Sequence, residues 1–245
     1  MEQIEQPLIG GRFTAGVVRI GGTVRRPASA ASPFIASYLG VLAANGFDRC
    51  PRHHGLDAYG RDVFSFVPGD VPPKWRQWTD EQVAAAAHLL HGLHDAGREL
   101  AAIAEGFSPE FASGYQGADA VICHHDPGPN NTVFHDGIPV ALIDFDFAAP
   151  GHPLEDLGYL AWSWCISSRP DRGPAESQAA QIRVLADAYG LAPSDRLVGA
   201  VFERMRRNVD FWSRSGAASS AEVIAWTRRE HAFLTEHREI FEAAL

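Results

Sequence analysis

The chain has 245 residues, 46% hydrophobic and 21% charged, which suits one large or two small globular domains. No apolar run is long enough to span a membrane, and the opening MEQIEQPLIGG lacks the basic-then-apolar order of a secretory signal, so neither a membrane partner nor a leader is expected. A formal net charge of −9 argues against nucleic acid as a partner, and three scattered cysteines, Cys50, Cys123 and Cys165, read as buried thiols of a cytoplasmic protein rather than a disulfide frame.

In chain order, Leu8-Ile9 and Val17-Val18-Arg19-Ile20 read as strands joined by a glycine-rich hairpin, Gly10-Gly11-Arg12-Phe13-Thr14-Ala15-Gly16. Such a hairpin lets backbone N–H groups approach phosphates, with Gly11 the candidate contact, although an ordinary hairpin also fits. A third strand follows, Thr23-Val24-Arg25-Arg26-Pro27, whose two arginines point to opposite faces. Ser32 is positioned to cap a helix to about Asn45, with Pro33 in its first turn, an apolar stripe of Phe34, Tyr38, Leu39 and Leu42, and Gly46 at its end. Arg52 to Asp57 and Arg61 to Val67 read as a hairpin turned at Ala58-Tyr59-Gly60, and the Pro/Gly-rich piece from Pro68 to Pro73 reads as a linker. Residues 1–67 carry a net charge of +2 and the remainder −11, which suits a nucleotide on one side and a cationic acceptor on the other, as well as simple solubility.

Thr79 with Gln82 forms a capping box for a helix to about Leu100. Its His88, His91 and His94 have a spacing that a metal could use, but they read better as flanks of a Leu89, Leu90 and Leu93 core. Then comes the stretch richest in chemistry, VICHHDPGPNNTVFHDGIPVALIDFD, from Val121 to Asp146. Two apolar strands, Val121-Ile122-Cys123 and Val140-Ala141-Leu142-Ile143, each end in polar residues, and a hairpin with His135-Asp136-Gly137 at its tip lies between them. Asp126 and Asn131 sit five apart on a loop stiffened by Pro127 and Pro129, and Asp144 follows on the later strand. One carboxylate can orient or deprotonate a hydroxyl, while an amide oxygen and a second carboxylate can hold Mg²⁺, which needs hard oxygen ligands. These are the acceptor-side parts of phosphoryl transfer. The same residue types build turns, but turn chemistry does not account for two strands ending in acids at this separation. Beyond the motif the chain reads as helical: Leu154 to Cys165, Ala175–Tyr189, Ser194–Ser213 and Ser220–Phe241.

His124-x-Asp126-x4-Asn131 followed by Ile143-Asp144-Phe145-Asp146 resembles the aminoglycoside phosphotransferase and choline kinase-like group of small-molecule kinases. The resemblance continues into Pro150-Gly151-His152-Pro153-Leu154-Glu155-Asp156-Leu157, similar to the short Asp-Leu segment that opens the family's next helix. It implies an α+β, protein-kinase-like fold: a small β-rich N-lobe, residues 1–69, that binds nucleotide, and a larger mainly helical C-lobe, residues 70–245, with catalytic loop, metal site and acceptor. It also implies ATP (or GTP) and Mg²⁺ as cofactors, Asp126 as catalytic base, and Asn131 and Asp144 as metal ligands, with Asp146 beside them. Backbone groups near Ser65 to Val67 would meet the base. The family's third strand supplies a Lys to the phosphates, but the only Lys in this chain is Lys74, so the cation expected here is an arginine, Arg26. The following helix carries no acid to pair with that cation, and His125 stands where the family often has Gly.

The function these readings favour is ATP-dependent phosphorylation of a hydroxyl on a small molecule, an aminoglycoside-like antibiotic being one acceptor that fits. The missing Lys and helix acid keep open a non-catalytic nucleotide-binding or immunity-type protein of the same fold. A hydrolase using the same carboxylates and metal is the third reading, and the glycine-rich hairpin weighs against it.

Overall fold

The computed structural model describes residues 4–8, 15–73, 76–101, 115, 117–192 and 196–245. Gly11 and most of the glycine-rich hairpin lie outside them. The N-terminal lobe is a five-stranded antiparallel sheet built from β1 (Gln6–Pro7), β2 (Val18–Ile20), β3 (Thr23–Pro27), β4 (His53–Leu56) and β5 (Arg61–Ser65), in the order β1-β2-β3-β5-β4. The tight turn at Gly21-Gly22 sets the β2–β3 register, and β3 pairs with β5 so that Arg26 lies opposite Asp62 and Arg25 opposite Val63. Helix α1 (Ser32–Ala44) crosses from β3 to β4 and buries Ile35, Tyr38, Leu39 and Leu42. Gly46, at φ 77°, reverses the chain after it, a conformation glycine adopts without steric cost.

The C-terminal lobe is helical around two small ribbons. Helix α2 (Asp80–Ala101) begins with the capping box expected of Thr79 and Gln82: each backbone N–H is bonded to the other's side-chain oxygen, at 3.0 and 3.2 Å. β6 (Val121–Cys123) leads into the loop from His124 to Asn131, and β7 (Thr132–His135) with β8 (Ile138–Leu142) forms the hairpin turned at Asp136-Gly137. Of the helices α3 (Pro153–Trp164), α4 (Ala175–Tyr189), α5 (Arg196–Ser215), α6 (Ser220–Glu236) and α7 (Arg238–Ala243), α4 packs on α2, α3 on α5, α5 on α6, and α7 on α4. One continuous core runs from Tyr38 and Leu42 of the N-lobe helix through Leu90 and Leu93 to Leu157, Trp162 and Trp164, so the two lobes share their packing. Among the described residues no helix is long and apolar enough to cross a membrane.

Four local expectations differ from the structure. The first strand is Gln6–Pro7 rather than Leu8-Ile9, although the Leu8 N–H still bonds the Val17 carbonyl at 3.0 Å. Ala31, not Ser32, is the cap residue of α1; the Ser32 hydroxyl instead donates to the buried carboxylate of Asp62, which ties the helix to β5. A strand, β9 (Ala149–Gly151), follows the central motif and pairs with β6, where only helix was expected; Pro150 lacks an N–H, yet its short strand stands in a two-stranded ribbon whose missing bond costs little. The expected Ser220–Phe241 helix breaks at His237, whose ring Nδ1 and backbone N–H both reach the Phe233 carbonyl, at 2.9 and 3.2 Å.

Helices α3 and α5 meet at Gly158, where an added Cβ would lie 2.7 Å from the Ala200 carbonyl carbon and oxygen. Gly158→Ala should therefore destabilise the fold by about 1–3 kcal/mol through overpacking. Gly199→Ala, on the open side of α5 with nothing within 4 Å, should be neutral or stabilising by up to about 1 kcal/mol through helix propensity. Thermal melts of both variants check this; a Gly158→Ala melt matching wild type would contradict the close helix contact.

Candidate active site

The two lobes enclose a cleft of about 850 Å³. One end is an apolar slot lined by Val17, Val24, Phe64, Val133 and Ile143, with Ser65 to Val67 along its edge. The Ser65 and Phe66 N–H groups already bond the carbonyls of Arg52 and Gly22, at 2.8 and 2.9 Å, whereas the Val67 N–H has no backbone partner among the described residues. Of the two arginines on β3, Arg26 enters the cleft, and Arg25 lies on the other face, 3.7 Å from Asp57. Arg26 bridges two carboxylates of the opposite lobe: Asp144 at 3.4 Å and Asp146, which it holds in a short contact. The acid absent from α1 is thus replaced from the C-lobe.

The loop from His124 to Asn131 supplies the rest. The Asn131 amide donates to the Asp126 carboxylate at 2.8 Å and to its carbonyl at 3.0 Å, while Asn130 donates to the Asn131 side-chain oxygen at 3.1 Å. Asp126, Asn130, Asn131, Asp144 and Asp146 all line the cleft. Asp144 and His125 both have positive φ, 66° and 61°, a region that costs a non-glycine residue of order 1 kcal/mol or more. For His125 the ring Nδ1 bonds the Phe147 carbonyl at 2.9 Å, which helps hold a backbone shape that glycine would adopt freely. Burial in the cleft and then the charge of Asp146 push Asp144 up to about 6, against the pull of Arg26.

The loop is fixed from below. Asp156, fully buried near the start of α3, accepts the backbone N–H groups of His124 and His125, both at 2.6 Å, and the ring Nε2 of His94 lies 2.9 Å away. Burial alone would raise its pKa; the His94 hydrogen bond, followed by the fields of His94, His125 and His124, outweighs it and brings Asp156 down to about 2. Arg204 of α5 donates to the His125 carbonyl at 2.9 Å while its guanidinium covers the Tyr159 ring at 4.5 Å. The Trp164 indole donates to the Pro127 carbonyl at 3.1 Å. His124 packs at 4.7 Å against Phe145; its Nε2 meets the Ile143 carbonyl at 3.0 Å, so that nitrogen carries the hydrogen, and Nδ1 accepts from the Asp126 N–H. Burial holds its pKa below the usual imidazole value.

The sequence-derived residues Arg26, Ser65, Val67, Asp126, Asn131 and Asp144 therefore all face one cleft. Sequence reading missed the anchoring roles of His94, Asp156, Trp164 and Arg204. Only Asp156 carried a signal, its place in the Asp-Leu segment. His94 is one of three spaced histidines, of which His88 and His91 are exposed, so the three form no metal set. His94, Cys123 and Asp156 do approach one another, but Asp156 is already engaged by His94 and the two loop N–H groups.

Comparison with known proteins was consistent with this geometry. A family described as the phosphotransferase enzyme family matches residues 65–197. The trifolitoxin immunity protein of Rhizobium leguminosarum bv. trifolii is 31% identical over 259 residues, covering 96% of this chain and 96% of that one. Among solved structures, a choline/ethanolamine kinase family protein from Mesorhizobium loti superposes with a TM-score of 0.65 at 17% identity, covering 99% of this chain and 92% of its own. The aminoglycoside phosphotransferase APH(3'')-Id of Streptomyces rimosus, solved with ADP and streptomycin, gives 0.54 at 17% identity, covering 79% and 88%. These structural likenesses establish the protein-kinase-like fold with its small antiparallel N-lobe and mostly helical C-lobe.

Asp156→Asn should leave a buried amide facing donors and cost about 3 kcal/mol or more, lowering the melting temperature on the order of 10 °C. The pH dependence has a definite sign. A carboxylate at about 2 when folded and roughly 3.9 when unfolded stabilises the fold above pH 4, and that stability drains away as pH falls toward 2. Melts of wild type should drop more steeply than those of the variant across that window; parallel curves would remove Asp156 as the anchor.

Proposed function

We infer the function from one premise: the chain belongs to the phosphotransferase enzyme family. We propose that it transfers the terminal phosphoryl group of ATP or GTP to a hydroxyl of a small molecule, with residues 1–69 as the nucleotide-binding lobe and residues 70–245 carrying the rest of the machinery, in the cytoplasm. The observation that carries this reading is the convergence of Asp126, Asn131, Asp144 and Arg26 on one cleft with an apolar slot beside them. Nucleotides bound to relatives such as the Streptomyces rimosus enzyme support it.

In this reading Asp126 orients the acceptor hydroxyl and takes its proton as the hydroxyl oxygen bonds to the terminal phosphorus and the bond to the departing nucleoside diphosphate breaks. The Asn131 hydrogen bond at 2.8 Å fixes the Asp126 carboxylate. The slot takes the base, with the Val67 N–H rather than Ser65 as its backbone contact, and Gly11 would approach the phosphates. Mg²⁺ fits the donor set: Asn131 and Asp144 each offer a hard oxygen, Asp146 stands beside them, and the buried Asn130 side-chain oxygen has no partner among the described residues. Burial raises Asp144 first and the neighbouring acids Asp146 and Asp126 add to it; a second cation would offset that acid–acid repulsion. When bound there, the metal neutralises charge on the transferring phosphates. Arg26 would turn from Asp144 and Asp146 to the phosphates.

One observation favours a second reading. Arg26 already neutralises both carboxylates, so a protein that binds nucleotide or a toxin without transferring phosphate is also served by this arrangement, and the immunity name of the Rhizobium relative fits it.

Asp126→Asn separates the two. Turnover should fall roughly 10²–10⁴-fold, the range for positioned acid–base groups, with MgATP affinity little changed. Calorimetric MgATP affinity and phosphate transfer, measured together, give the answer: retained turnover removes Asp126 from the chemistry, and a wild type that binds MgATP but transfers to nothing favours the second reading. Arg26→Ala should weaken MgATP binding by about 1–3 kcal/mol through the lost charge-assisted bonds, and Arg25→Ala should change it far less. Equal small effects would put the phosphate cation elsewhere.

A further inference from the structure

Beyond Asp126 the cleft opens onto a wall contributed by four elements: Phe147 between β8 and β9, Tyr159 of α3, Phe211 and Trp212 of α5, and Val223 and Trp226 of α6. The rings hold one another. Phe147 meets Phe211 edge-on at 6.1 Å, Phe211 meets Trp212 at 5.4 Å, and Trp226 stacks on Trp162 at 4.8 Å with only 11° between planes. Phe211, Trp212 and Val223 form a small cluster of their own, separate from the main core, with Phe147 and Trp226 packed on it. Phe211 and Trp212 are each 6% exposed and Trp226 is half-buried, so what they offer the cleft is a preformed aromatic lining, which suits an apolar body.

The charges in the cleft point the same way. Among the described residues, its only acids are Asp126, Asp144 and Asp146, which the transfer machinery and Arg26 already engage. The wall's own fixed charge is positive: Arg204 lies 5% exposed over the Tyr159 ring. The wall also carries Asn208, whose amide donates to Thr227 at 2.8 Å. A polycationic amino sugar needs carboxylates along its length to offset the loss of water around each ammonium, and a quaternary ammonium would sit beside a buried guanidinium of the same sign.

We propose that the acceptor is an uncharged alcohol with an extended aromatic body, which lies on the Phe211–Trp212–Trp226 wall and presents its hydroxyl to Asp126. The placement of the hydroxyl rests on the phosphotransfer reading; the apolar character of the body rests on the wall alone. This sets the acceptor apart from the cationic one that the overall acidity of the chain suggests.

The test is calorimetric titration of the full chain with three probes, in the presence of Mg²⁺ and a non-hydrolysable ATP analogue: 2-(2-naphthyl)ethanol, kanamycin and choline. The aromatic alcohol should bind at least about tenfold tighter than either cation, a difference of about 1.4 kcal/mol. Its affinity should be nearly independent of salt, since no ion pair forms. Trp212→Ala should weaken it several-fold, and Trp226→Ala, at a half-buried position that tolerates truncation better, should do the same. Tighter binding of kanamycin or choline, or no binding of the aromatic alcohol, overturns the proposal. Binding of the nucleotide analogue is read in the same cell. If it fails while the aromatic alcohol still binds, the phosphotransfer reading falls and the apolar wall stands.

Discussion

Asp156 holds the backbone of the loop from His124 to Asn131 from beneath, and most of the candidate site's geometry depends on it. A buried carboxylate survives only when its oxygens are engaged, and here they take two consecutive loop N–H groups and the His94 ring. That arrangement draws α2, α3 and the loop to one point. It also orients the peptide of His125 so that its carbonyl faces Arg204 and its ring faces the Phe147 carbonyl. The loop above is then left with one exposed purpose: to present Asp126 and Asn131 to the cleft. An anchor so placed converts helix packing into side-chain position.

Arg26 is the complementary constraint from the other lobe. Its strand is fixed by pairing with β5, and alternation along that strand turns Arg26 toward the cleft and Arg25 away. The carboxylates it meets come from more than 110 residues further along the chain, at Asp144 and Asp146. The buried Asp62, opposite Arg26 in register, is held by Ser32 and by His53 at 2.9 Å, so α1 is tied to the sheet through that acid instead of through an acid of its own. The ion pairs of Arg26 with Asp144 and Asp146 join the two lobes across the cleft.

The aromatic wall shows how an acidic protein can carry an apolar site. The many surface acids pair locally with arginines on helix faces, as Glu203 does with Arg206 and Arg207 and Asp187 with Arg183, and such exposed pairs contribute little and point outward. Net charge therefore describes the solvent-facing surface, while the character of the cleft lining is set by which rings of α5 and α6 turn inward.

What the sequence determined by itself is local. The motif from His124 to Asp146 marked the strands and their acid ends because the period of two and the Pro-stiffened loop are written in adjacent residues, and the capping box at Thr79 and the break at Gly46 are likewise short-range. Arg26 over Arg25 was a choice between two faces, and the absence of any lysine in the first lobe made it an arginine. The tertiary structure decided everything that depends on distant residues meeting. Ser32 gave up its cap because Asp62, thirty residues on, binds its hydroxyl more favourably. His94 became an anchor, not a flank, because α3 brings Asp156 beside it. Arg26 found its acids across the cleft, and the aromatic residues of Phe147, α5 and α6 became one wall, because side-chain identity is local while the surroundings that give it a role are fixed only when the chain has packed.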